Sequence, residues 1–172
     1  MHEAFDMSVP EEPFSIIDAK SKGQGVFANR DYPSGELIMF FTGEVIPVEK
    51  IIDFTHYIQI APDSFLGPSG EADDYVNHSC DPNCAVYFEN DCLVLKTIKK
   101  IKKGQEITFD YGTIQFREPT TFHCGCGSRK CRGEITNFYM LPPELKQKYI
   151  ARNMVPLLSR YKISELNPDI DN

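Results

Sequence analysis

Between Phe14 and Asp110 the apolar residues come in short runs broken by Gly, Pro, Asn and Asp, and no stretch sustains a helical period. That pattern predicts many short strands. Gly25–Ala28 reads as a short strand, Glu36–Glu44 as a longer buried one entered from the turn Pro33-Ser34-Gly35, and Tyr57–Ile60 as a third. Ala85–Phe88 and Cys92–Thr97 flank Glu89-Asn90-Asp91. Asn and Asp tolerate positive φ, so a hairpin is expected there. Strand character resumes over Gln105–Tyr111, after a lysine group (Lys99, Lys100, Lys102, Lys103) that reads as a solvated turn rather than a binding site.

After Tyr111 the character changes. Thr113–Thr121 reads as loop, a Cys-rich segment follows, and Pro142-Pro143-Glu144 opens a helix, with proline suited to a first helical position and an acid to the first turn. Leu145, Tyr149, Ile150 and Met154 supply its packing side, until Pro156 breaks or restarts it. This tail serves either the chain's own core or a homodimer. The polar end, Asn167–Asn172, is expected to fray.

The chain has 172 residues, of which 41% are hydrophobic and 25% charged, enough for one core-forming domain with an appendage. Without a long apolar run it does not read as a membrane protein. The net charge of −7 argues against a sequence-independent grip on nucleic acid and favours a basic partner. The first residues carry acids and prolines rather than a basic stretch followed by an apolar run. No signal or transit peptide is visible, and an intracellular protein is expected.

Three of the six cysteines lie in Cys124-Gly-Cys126-Gly-Ser-Arg-Lys-Cys131, a glycine-containing loop able to wrap three thiolates round one ion. Zinc takes four ligands, so a fourth must come from His123 or from distal Cys80, Cys84 or Cys92. Disulfides are the weaker reading, because cysteines one residue apart rarely bridge and the compartment is expected to be reducing. A zinc ribbon for DNA lacks its paired knuckles and basic helix here.

A second dense segment, Tyr75-Val-Asn77-His78-Ser-Cys80-Asp-Pro82-Asn83, concentrates amides, an imidazole and a thiol. Alone it fits a hydrogen-bonded buried crossing as well as a site. Gly23-Gln24-Gly25 precedes it and Phe109-Asp110-Tyr111 follows it.

Together these segments resemble the SET-domain protein-lysine methyltransferases with a post-SET zinc segment and no pre-SET domain. The resemblance is carried by five motifs in order: Lys22-Gly23-Gln24-Gly25-Val26, Phe41-Thr42-Gly43-Glu44, Asn77 to Asn83, Gly104 to Tyr111, and Cys124, Cys126 and Cys131 followed by Arg132-Gly133. It implies a mainly β fold of small curled sheets with a threaded (pseudoknot) crossing, a zinc-bound post-SET loop and a C-terminal helix. The implied boundaries are an N-terminal extension (1–13), a SET domain (14–112) with a short variable insert (47–74), a post-SET segment (113–133) and a helical tail (134–172).

By the same resemblance the methyl donor is S-adenosylmethionine, bound through Lys22, Gly23, Gln24, Gly25, Tyr57, Tyr75, Asn77 and His78. Structural zinc is held by Cys80 with Cys124, Cys126 and Cys131, which leaves Cys84 and Cys92 as small core residues. Tyr111 is the hydroxyl that orients the amine, and Phe41 and Phe109 line the lysine channel. Where members carry tyrosines at those two positions the channel is narrow; two phenylalanines imply di- or trimethylation. The implied partner is a lysine-bearing basic protein, a histone tail above all, met in a eukaryotic nucleus, or in a bacterium's cytoplasm or a host nucleus. Gln24 stands where many members have Trp, and Asp74 where an Arg often precedes the Asn-His pair. An inactive SET-fold scaffold and a methyltransferase of a non-histone basic protein are the alternatives.

Overall fold

The computed structural model describes residues 12–117 and 121–166. Most of the expected N-terminal extension, residues 118–120 of the expected 113–121 loop and the end Asn167–Asn172 lie outside the described residues. The architecture is mainly β. Strand β1 (Phe14–Asp18) pairs antiparallel with β2 (Gln24–Ala28). β3 (Leu37–Phe40) is followed by β4 (Val45–Pro47), β5 (Ile58–Ala61) and β6 (Ser64–Leu66), the last three forming a sheet in the order β4-β6-β5. β7 (Asn77–His78) precedes the hairpin of β8 (Cys84–Glu89) and β9 (Cys92–Thr97), and β9 also pairs with β3. β10 (Thr108–Phe109) runs parallel to β7, and β11 (Phe122–His123) pairs with β12 (Glu134–Ile135).

The hairpin closes as expected on Asn90 and Asp91, whose φ angles of 48° and 63° fit a two-residue primed turn with Glu89 opposite Cys92. Two expected strands are shorter than their apolar patterns. Of the Glu36–Glu44 run only Leu37–Phe40 is strand, with one flanking main-chain bond to β9 at each end, from Thr97 to Glu36 and from Phe41 to Leu93, and Leu37 and Phe40 are exposed. Beyond Phe41 the chain leaves β9: the Thr42 N–H turns to the Asp73 carboxylate, and Gly43, at φ +141°, passes so close to Gly67 that a Cβ there would lie 2.1 Å from the Gly67 carbonyl oxygen. The Gln105–Tyr111 run divides its main-chain bonds between two partners. Gln105 and Ile107 bond to β2, at Ala28 and Val26, and only Thr108–Phe109 pairs with β7.

Two apolar clusters hold the chain together. The first gathers Val26, Met39, Val86, Leu95, Ile107 and Phe109 from the small sheets. The second packs the tail on the outer side of β8, joining Ala85 and Phe116 to Phe138, Leu141, Tyr149 and Leu157. The tail therefore covers the chain's own core. Helix α1 (Pro143–Ala151) starts with proline in its first turn as expected and stops at Asn153, whose φ of 53° ends the helical path. Met154 lies beyond that stop yet is buried, whereas Ile150, expected on the packing side, is 43% exposed. Short α2 (Ile163–Leu166) ends on buried Leu166. Cys84 is a buried core residue as expected; Cys92 is exposed, because it opens β9 beside the hairpin turn. The four lysines before Gly104 are exposed, with Lys99 on Asp81 and Lys102 on Asp31, as a solvated turn requires.

Candidate functional site

The site forms where residues 77–83 run beside residues 106–111. β7 and β10 are parallel, which requires a long connection, here supplied by the β8–β9 hairpin and the lysine turn. The contact continues beyond the two strands. The Ser79 N–H donates to the Phe109 carbonyl at 3.0 Å, and the Asn83 amide bonds at both ends, accepting from the Thr108 N–H at 2.9 Å and donating to the Glu106 carbonyl at 2.8 Å. Asn83 is thus consumed in holding the crossing.

Tyr111 follows β10 at the start of a 3-10 turn, and its hydroxyl donates to the Val76 carbonyl at 2.9 Å. Desolvation, aided by the negative charge of Glu106, pushes this phenol above the ordinary tyrosine range, so it stays protonated. Its one proton is given to Val76, which leaves oxygen lone pairs to accept from a nitrogen. Phe109 lies 5.0 Å from the Tyr111 ring, and Phe41 meets Phe109 edge-on at 5.8 Å. Both phenylalanines are buried, at 7% and 3% exposure. Phe41, Phe109 and Tyr111 line one cavity of about 270 Å³, together with Tyr57, Ile58 and Ile114. At its edge the Asp73 carboxylate accepts from the Thr42 N–H and the Ser69 hydroxyl, and the Asp74 carboxylate from the N–H groups of Ser69 and Gly70. Asp74 thereby shapes the turn before the crossing.

One residue beyond Val76, the Asn77 side chain donates to the Gln24 carbonyl and to Glu106 Oε1, each at 2.9 Å. Lys22 is ion-paired with the other Glu106 oxygen. Gly23 is exposed at φ +74° with open space beside it, while a Cβ on Gly25 would meet Asn77 Nδ2 and Glu106 Oε1 at 2.8 Å. The Gly-x-Gly element and the crossing are therefore in contact. Tyr75 ends a 3-10 turn and packs against the first apolar cluster, and Tyr57 sits on the cavity wall with its carbonyl accepting from Gln115. The His78 imidazole is buried at 4% exposure, with Nδ1 accepting from the Tyr111 N–H at 3.2 Å and Nε2 facing the Cys80 sulfur. Both ring nitrogens are thereby engaged within the protein.

The sulfurs of Cys80, Cys124, Cys126 and Cys131 all lie within 4.8 Å of one another, and the Cys80–Cys124 separation is 3.7 Å. Zinc–sulfur bonds near 2.3 Å in a tetrahedron place neighbouring sulfurs about 3.8 Å apart, so this set fits a four-thiolate ion. His123 is exposed on β11, leaving Cys80 as the distal member among the described residues.

Sequence reasoning gave no role to Asp110. Its carboxylate, 2% exposed, receives both terminal nitrogens of Arg132 at 2.8 Å, the Tyr149 hydroxyl at 2.7 Å and the Gly112 N–H at 3.0 Å. Its place beside Tyr111 was the one available signal.

Comparison with known proteins agrees with this geometry. The SET domain profile matches residues 23–112. The chain is 32% identical over 140 residues to histone-lysine N-methyltransferase Set2 of Drosophila melanogaster, covering 72% of this chain and 6% of that protein. It is 27% identical over 139 residues to histone-lysine N-methyltransferase ASHH2 of Arabidopsis thaliana, covering 71% of this chain and 8% of that one. The chain thus spans only a small part of these relatives' length. Among solved structures, KRYPTONITE in complex with DNA, an H3(1-15) peptide and SAH superposes with a TM-score of 0.60 at 22% identity, over 71% of this chain and 29% of that one. The crossing of residues 77–83 with 106–111, the adjoining Gly-x-Gly element and the profile match over residues 23–112 together establish that the chain belongs to the SET-domain family.

Proposed function

We propose that this domain is a protein-lysine methyltransferase that uses S-adenosylmethionine and acts on a basic protein, a histone tail first among them, to give di- or trimethyl-lysine. The observation that carries the reading is the Tyr111 hydroxyl, fixed by Val76 at the wall of an apolar cavity lined by Phe41 and Phe109.

When bound, S-adenosylmethionine supplies an electrophilic methyl on a positively charged sulfur. The exposed Gly23 backbone, the Asn77 amide and the Lys22 ammonium suit its amino acid end, which carries both a carboxylate and an amine. The attacking lysine must be neutral, although a free lysine has a pKa of about 10.4. The apolar walls of Phe41 and Phe109 disfavour the ammonium. Tyr111 then accepts a hydrogen bond from the amine and aims its lone pair, which is catalysis by alignment and electrostatics without a covalent enzyme intermediate. Because neither phenylalanine presents a hydroxyl, neither takes up the room that added methyls need.

Zinc on Cys80, Cys124, Cys126 and Cys131 would clamp the 121–135 segment beside the cavity, whose walls include Phe122 and Ile135. Among the described residues no helix is long and apolar enough to cross a membrane. A histone substrate places the reaction in a nucleus, the protein's own or a host's.

The test is transfer of labelled methyl from S-adenosylmethionine to core histones and ribosomal proteins, with Tyr111→Phe as control. Label on one lysine that disappears in the variant is the expected result. Donor binding without label on any substrate, or no donor binding, overturns the assignment as written.

A further inference from the structure

We propose that Asp110 is a positioning residue that makes the placement of Tyr111 conditional on two distant segments, the Cys-rich loop and the tail helix. The proposal rests on the reading of Tyr111 as the hydroxyl that orients the amine.

A carboxylate at 2% exposure must be neutralised or fully bonded. Asp110 is bonded from three directions. Arg132, one residue beyond Cys131, approaches with both terminal nitrogens in the bidentate geometry that fixes orientation as well as distance. Tyr149 comes from the buried face of α1 and gives its hydroxyl proton to the same Oδ2 that Arg132 Nη1 contacts. The Gly112 N–H caps Oδ1 from within the Tyr111 turn, and His78 Nδ1 lies 3.5 Å from that oxygen.

The position of these bonds gives them a role beyond holding segments together. Asp110 immediately precedes Tyr111, and its side chain caps the 3-10 turn that Tyr111 begins. Rotation of the carboxylate therefore moves the main chain from which the Tyr111 side chain projects. The tail touches the same turn a second time: Leu141 Cδ2 lies where a Cβ on Gly112 would be only 2.9 Å away. Arg132 is tied in turn to the thiol cluster, its N–H facing the Cys80 sulfur at 3.4 Å. Loop and tail meet at this one buried carboxylate beside Tyr111, so displacing either loosens the turn.

The experiment uses the full chain with Tyr149→Phe, which removes one hydroxyl and keeps the ring in the core, and with Asp110→Asn as a stronger variant. Amide hydrogen exchange at Tyr111 and Gly112 is compared with exchange in the β8–β9 hairpin. Tyr149→Phe is expected to speed exchange at the two turn amides about tenfold and leave the hairpin unchanged. Uniform acceleration, or none, overturns the proposal, because a purely structural ion pair gives the first and an inert contact the second. In methyl transfer, Tyr149→Phe is expected to lower kcat about tenfold with the donor KM kept, and to cause no further loss in a Tyr111→Phe background. Losses that multiply in the double variant show that Tyr149 does not act through Tyr111 and also overturn it. A wild-type chain that transfers no methyl while the turn amides still respond refutes the assigned reaction and leaves the coupling in place.

Discussion

The main-chain N–H of Tyr111 donates to His78 Nδ1 at 3.2 Å, and this bond fixes the state of the imidazole. Burial holds His78 down to about 4 against the opposing pull of Asp110, so the ring is neutral and its proton sits on Nε2. Nε2 faces the Cys80 sulfur at 3.2 Å. The Cys80 sulfur is thereby hydrogen-bonded to a ring that is anchored on the backbone of Tyr111, the outer-shell arrangement that would orient Cys80 toward an ion held by the four sulfurs.

Tyr111→Phe separates chemistry from stability. The lost hydroxyl makes one hydrogen bond among the described residues, to the Val76 carbonyl, and a single hydrogen bond contributes about 1 kcal/mol. Thermal unfolding should therefore shift by only a few degrees while methyl transfer falls by about 100-fold or more. Calorimetry with S-adenosylmethionine should show binding retained.

Phe109→Tyr tests the channel. Its ring is 3% exposed and meets both Phe41 and Tyr111, so an added hydroxyl has to enter the space available to the amine substituents. Mass spectrometry at saturating donor should show the product shifting from di- or trimethyl toward monomethyl. The extra atom should also destabilise the core by about 1–3 kcal/mol.

Gly25→Ala should weaken donor binding. The new Cβ would stand 2.8 Å from Asn77 Nδ2 and from Glu106 Oε1, so the Asn77 bond to the Gln24 carbonyl cannot keep its place. A tenfold or larger rise in the donor Kd is expected, of the order that loss of about 1.4 kcal/mol produces. The KM for the peptide should change less.

Zinc removal should cost activity before fold. The first apolar cluster is built from the small sheets and includes none of Cys80, Cys124, Cys126 or Cys131. A chelator should remove about one zinc per chain, abolish transfer, and leave most of the near-ultraviolet signal of the core at room temperature. Loss of fold in step with loss of activity would contradict this.

Alkaline stability should report on Tyr149. Burial raises its phenol above the ordinary range of about 10, and the neighbouring Asp110 charge adds to that, with Arg132 opposing. The unfolded chain then releases the Tyr149 proton at a pH where the folded chain keeps it. Its contribution is complete below about pH 10 and lost as pH rises through the folded value. Urea unfolding at pH 9 to 11 should show that slope, and Tyr149→Phe should make it shallower, leaving the part contributed by buried Tyr111.

Much of the site was legible in the order of its motifs. Gly23-Gln24-Gly25, Asn77-His78 and Phe109-Asp110-Tyr111 are separate in the chain, and each alone reads as an ordinary turn or crossing; their succession carried the resemblance, and the structure places Asn77 against Gln24 and His78 against Tyr111. The hairpin at Asn90-Asp91 and the helix start at Pro143 were equally readable, because turn and cap preferences are local. The lengths of the strands were not. The Glu36–Glu44 run leaves β9 where the Thr42 N–H turns to Asp73 and Gly43 passes beside Gly67, and Gln105–Tyr111 divides its bonds between β2 and β7.

Residue order supplies the available groups: three clustered thiols and a fourth at a distance, two phenylalanines and a tyrosine in motif context, and a surplus of acids suited to a basic partner. Which of them meet depends on how the whole chain packs. Cys80 rather than His123 joins the thiols, Ile150 turns to solvent while Met154 is buried, and Asp110 becomes the common anchor of Arg132 and Tyr149. The physical reason is that residue type and period govern local geometry, whereas a buried charge or a metal-like cluster exists only when partners tens of residues apart are brought within about 3 to 5 Å by the packing of the whole chain.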